Sequence, residues 1–77
     1  MHDFSPGERF GLHNEVFGIE MREGRTCAVL IPAKTIVEIR AFPCAEDDRM
    51  AAVTWGDRIV MMFGMDLMVR AEKVKAV

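Results

Sequence analysis

His2, His13, Cys27 and Cys44 are the imidazoles and thiols of this 77-residue chain, and they are the ligand types that zinc prefers. Their spacings match no close-paired ligand motif. His13 with either cysteine has the chemistry of a nucleophile–base pair, but nothing in the spacing brings those residues together. Glu46-Asp47-Asp48 offers carboxylates to a hard cation such as calcium. It lacks the glycine and the regularly alternating ligands of a calcium loop, so it reads as a solubilising loop. No GxxxxGK, GxSxG or HExxH pattern occurs. The expectation is a non-enzymatic protein with no catalytic residues, no metal and no cofactor.

Two further groups are suited to binding. Trp55 and Arg58, with Phe63, could form a stacking surface for a base or a cationic ligand; alternatively Trp55 caps one end of the core. Met61, Met62, Met65 and Met68 are dense within eight residues, and methionine adapts its shape at contact surfaces. Alternation along 58–63 predicts Ile59, Met61 and Phe63 facing the core, with Val60 and Met62 pointing outward beside Ile36. The predicted interaction surface is therefore Ile36, Val60, Met62 and Met65, a face that a second copy of the chain would bury. The competing possibility is that the methionines fill a loosely packed core.

These residues must be positioned by strands. Residues 16–31 and 50–63 are two alternating apolar hairpins, turning on Glu23-Gly24 and on Gly56-Asp57. Ile19 and Met21 share one face of the first strand, and Gly18, Glu20 and Arg22 the other. From Cys27 to Ile31 both faces are apolar, as in a strand buried centrally or against a partner. Residues 35–42 alternate again, with Val37, Ile39 and Ala41 on one side and Ile36, Glu38 and Arg40 on the other. Ser5-Pro6-Gly7 favours a turn near a short amino-terminal edge segment. Met65-Asp66-Leu67 suits one 3₁₀ turn, and residues 69–77 are left open between a closing strand and a short helix. The pattern predicts one all-β domain spanning 1–77, with about five antiparallel strands in a small barrel.

The run Val53-Thr-Trp-Gly-Asp-Arg-Ile-Val-Met-Met-Phe-Gly-Met-Asp-Leu67 resembles the distal part of a Src-homology-3-like small barrel. There a strand ends near an aromatic, a tight turn and return strand follow, and a 3₁₀ turn precedes the closing strand. Residues 31–39, with Pro32, Thr35 and alternating apolar positions, resemble the entry to a strand in bacterial members. The sequence also resembles short bacterial proteins of no assigned function that share a Met-Met-Phe then Asp-Leu run. The resemblance implies a small barrel and carries over no activity. The chain departs from the peptide-docking version in having no tyrosine, which removes the aromatic groove for proline-rich ligands.

Composition narrows the partners. An apolar fraction of 51% in a chain that buries only roughly 60% of its unfolded surface leaves apolar groups exposed, which points to self-association, most simply a dimer, or to another protein. Net charge is −2, and the seven arginines and three lysines are scattered among acids, so nucleic-acid binding is disfavoured. The alternative of an Sm-like nucleic-acid-binding or regulatory barrel requires Arg22, Arg25, Arg40, Arg58 and Arg70 on one face. Residues 1–10 show no secretory pattern, no apolar run is long enough for a bilayer, and two cysteines fit free thiols in a reducing compartment. These features predict a cytoplasmic protein without membrane partners.

Overall fold

The computed structural model describes residues 4–44 and 47–74. His2 and Glu46, two of the candidate ligands, lie outside the described residues.

Both expected hairpins form. Strand β2 (Val16–Arg22) pairs with β3 (Arg25–Ile31) through seven consecutive positions, from Val16 opposite Ile31 to Arg22 opposite Arg25. Glu23 and Gly24 carry φ of 49° and 77°, the doubly left-handed turn whose twist matches that of the strands it joins. Strand β5 (Met50–Trp55) pairs with β6 (Arg58–Phe63), from Met50 opposite Phe63 to Trp55 opposite Arg58. Gly56, at φ 62°, opens that second two-residue turn. Strand β4 (Ile36–Ala41) lies beside β5, with its register broken between Ile39 and Ala41.

Two short segments complete the sheet. Strand β1 (Arg9–Leu12) sits between β4 and β7 (Ala71–Lys73), so it is interior and not the expected edge. The order among the described residues is β3-β2-β6-β5-β4-β1-β7, all antiparallel. The all-β class stands, but there are seven strands among the described residues where about five were expected. The sheet does not close into a barrel: β3 and β7 are its edges and do not pair with each other. The join between the hairpins is narrow, since β2 meets β6 at Ile19 opposite Met61.

In place of the expected 3₁₀ turn there is one turn and a half of α-helix, α1 (Gly64–Val69). Gly64 lets the Phe42 ring lie close to the start of α1, since a Cβ there would stand 3.0 Å from it. Leu67 is the side chain that α1 buries. Of the two alternatives for the carboxyl-terminal segment, the strand is what forms, at Ala71–Lys73.

The core lies on the inner face of the curved sheet. Val16, Ile31, Val37, Ile39, Ala51, Val53, Val60 and Met62 come from the strands, and Leu67 and Phe4 cover them. Phe4 packs edge-on against Phe10 and Phe42, with ring centres 5.3 and 5.0 Å away. Strand β6 is therefore in the opposite phase from that expected. Val60 and Met62 are 0% exposed, whereas Ile59 is 53% exposed and Phe63 also faces solvent. Both faces of β6 are apolar, so hydrophobicity alone does not set its phase. Its partners do: Val60 lies opposite Val53 and Met62 opposite Ala51, both inward. Gly18 of β2 clears the space, since a Cβ there would stand 2.5 Å from Val60 Cγ1.

Candidate functional site

The predicted interaction surface does not assemble. Val60 and Met62 belong to the core, so they cannot meet a partner in the folded chain. Ile36 and Met65 are exposed as expected, but they stand apart. Ile36 flanks a shallow depression with Gly56 and Thr54, at the tip end of the β5–β6 hairpin. Met65 lies in the first turn of α1 at the other end, beyond the Met50–Phe63 pair.

A different apolar surface forms on the outer face of the sheet. Phe17 is 68% and Met21 56% exposed on β2, and Leu30 is exposed opposite Phe17 on β3. The Ile19–Met61 pair carries this row onto β6, where Ile59 and Phe63 point the same way. Side chains directly opposite on paired strands share a face, so the row is continuous across three strands. At its Phe63 end lies an apolar cleft of about 290 Å³ walled by Phe4, Phe42, Phe63, Met65 and Met68, with Arg49 on its lining. The arginine is held by Asp47 through two side-chain hydrogen bonds of 3.1 and 2.9 Å. Those bonds, with the Arg49 backbone N–H at 2.9 Å, lower the Asp47 pKa from 3.8 to about 2.

Among the described residues the inner face contains one buried charge. Glu20 lies on the core side of β2, the face it shares with Gly18. Arg58 donates to both of its carboxylate oxygens, Nε and Nη2 each at 2.9 Å, and Arg22 Nε approaches to 3.3 Å. The Arg58 hydrogen bonds hold the Glu20 pKa below its ordinary value against the opposing effect of desolvation. The same guanidinium lies over Trp55, its carbon 4.3 Å from the ring centre. Trp55 packs against the core, in line with the capping alternative, and Arg58 occupies a ring face that a stacking ligand would need. Phe63 is on the opposite side of the sheet and takes no part.

The remaining candidate groups are dispersed. Cys27 is half-buried on β3, and Cys44 is a buried free thiol with Sγ 3.4 Å from the Asp47 carbonyl and 3.8 Å from Met61 Sδ. His13 is exposed and 3.9 Å from Glu72. Among the described residues no three His, Cys, Asp or Glu side chains are grouped to hold a metal ion. Of the arginines considered for nucleic acid, Arg22 and Arg58 flank Glu20 and Arg70 lies 3.3 Å from Asp66. No helix among the described residues is long and apolar enough to cross a membrane.

Compared with protein-family models, curated proteins and solved structures, the chain matches none.

The hydrophobic pattern did not point to Phe17, Met21, Leu30 or Glu20. Two-residue turns fix which residues face each other, Arg22 with Arg25 and Trp55 with Arg58, so with Val53 inward the phase of β6 follows. The inward side of β2 and β3 is set by packing, which turn length does not encode.

Proposed function

We propose that this chain is a non-enzymatic binding domain, related in architecture to the Src-homology-3-like small β folds, that associates with a second copy of itself. The outer apolar face carries this reading: Phe17, Met21, Leu30 and Ile59 stand exposed in adjacent rows on β2, β3 and β6. Exposed contiguous apolar surface of this kind marks a contact site, and its burial stabilises a pair by about 25 cal/mol per Å² of apolar area before association costs. The architectural comparison is supported by the run β6-β5-β4-β1-β7, in which a meander and a short helical turn return the last strand to the side of the first. The unpaired thiols Cys27 and Cys44 suit a reducing cytoplasm.

Light scattering at high micromolar concentration tests the proposal. Twice the chain mass is expected, and Phe17→Glu should return the single-chain mass while keeping a β-type circular dichroism spectrum. A single-chain mass for the unaltered protein would refute it.

A further inference from the structure

The two sheet edges are unlike. Strand β7 is three residues long and carries Glu72 and Lys73. Strand β3 is seven residues long and has neither a proline nor, after Arg25, a charge. Edges of that kind are normally blunted by charge, proline, a bulge or brevity, because their free backbone groups pair readily with another strand.

The register identifies which groups are free. Arg22 and Arg25 close a two-residue turn and exchange both hydrogen bonds, so alternate pairs beyond them do the same. The N–H and C=O of Cys27, Val29 and Ile31 therefore point to β2. Those of Thr26, Ala28 and Leu30 point away from it, and among the described residues no hydrogen bond from another segment reaches them.

We propose that a second copy of the chain pairs antiparallel along β3, with Ala28 on the two-fold axis. This rests on the self-association proposed above and places its contact along the β3 edge in place of face-to-face burial of the outer rows. Three observations fit another copy, paired antiparallel, as the occupant. The free groups are symmetric about Ala28: Thr26 faces Leu30 of the second copy, Leu30 faces its Thr26, and each pair exchanges two hydrogen bonds. The smallest side chain of the three falls on the axis. Antiparallel pairing also sets the two Arg25 guanidinium groups about 20 Å apart along the strands, beyond the screening length of about 10 Å at 0.1 M salt, whereas parallel pairing would place them together. The pairing extends the outer apolar rows from Leu30 and Phe17 into the second molecule.

Amide-resolved hydrogen exchange on the unaltered chain, at low and high micromolar concentration with light scattering at each, tests the pairing. As the mass doubles, the amides of Thr26, Ala28 and Leu30 are expected to become at least about tenfold more protected, with those of Cys27 and Val29 little changed. Ala28→Pro removes an outward N–H that no strand within the chain uses, so it should abolish the doubling and leave the other amides protected. A doubled mass with these three amides still exchanging freely would overturn the edge pairing and leave face-to-face association standing. A single-chain mass throughout would overturn both. Protection appearing only when an extended apolar peptide is added to a single-chain species would assign the edge to strand capture and overturn the pairing of copies.

Discussion

Arg58 grips the carboxylate of Glu20 with two hydrogen bonds of 2.9 Å each, across 38 positions of sequence. This joins the two hairpins on the inner face, where their direct backbone pairing is limited to Ile19 and Met61. The arginine is fixed from the other side by Trp55. A bidentate pair of this geometry is more specific than an ordinary ion pair.

Glu20 makes stability depend on pH. Its folded pKa is lowered by the Arg58 hydrogen bonds from an ordinary value of 4.5, so the native state holds a proton less readily than the unfolded chain. The stabilisation is complete above that ordinary value and is lost as pH falls through the lowered one. Asp47 has the same sign, over the window from 3.8 down to about 2. Urea midpoints should therefore fall on acidification below about pH 5. The gap between the unaltered chain and Glu20→Gln should narrow over the same range; a gap that widens toward acid would contradict the lowered pKa.

Arg58→Lys keeps the charge but cannot make the paired hydrogen bonds or lie flat on the ring. It should lower the melting temperature, and Trp55, the single tryptophan, should report the loss as altered fluorescence. Unchanged melting and emission would show that the clamp contributes nothing.

Met62 is fully buried among strand side chains, so Met62→Ala should cost about 2–5 kcal/mol in urea unfolding. Ile36→Ser, at an exposed site, should change stability by no more than about 0.5 kcal/mol. The reverse ranking would restore the outward phase for β6.

Gly18 and Val60 should behave as a coupled pair. A methyl group at residue 18 would meet Val60 Cγ1 at 2.5 Å, so Gly18→Ala should cost about 1–3 kcal/mol through overpacking. Combined with Val60→Ala, which vacates that space, the loss should be smaller than the sum of the two by about 1 kcal/mol. Strict additivity in the double-mutant cycle would mean that the Met61 carbonyl oxygen, 3.0 Å from the same position, and not Val60 sets the cost.

The hairpins, their turns, the faces of β5 and those of β4 as far as Ile39 were legible in the sequence because apolar and polar residues alternate there; Ala41, expected beside Val37 and Ile39, is exposed because the register breaks after Ile39. Val37 and Ile39 point inward while Ile36 and Glu38 point outward, as alternation alone implies. The phase of β6 was not legible that way, because 59–63 is apolar on both sides and a two-residue period then has no preferred face. Glu20 misleads for a related reason: a carboxylate signals solvent until its partner is known, and Arg58 is 38 positions away. The strands at 9–12 and 71–73 are too short to show a period. They exist because each supplies the other with backbone partners, which is a tertiary fact. For the candidate site the sequence disclosed an excess of apolar side chains and the exposure of Ile36 and Met65, but not the face on which the excess collects.

The contrast between the two borders of the sheet bears on how large an assembly can grow. A join across an isologous axis consumes the receptive border of both molecules at once. What remains outermost on either flank is the brief, ionic segment Ala71–Lys73, a poor template for recruiting a further chain. Growth from edge to edge therefore stops at the pair.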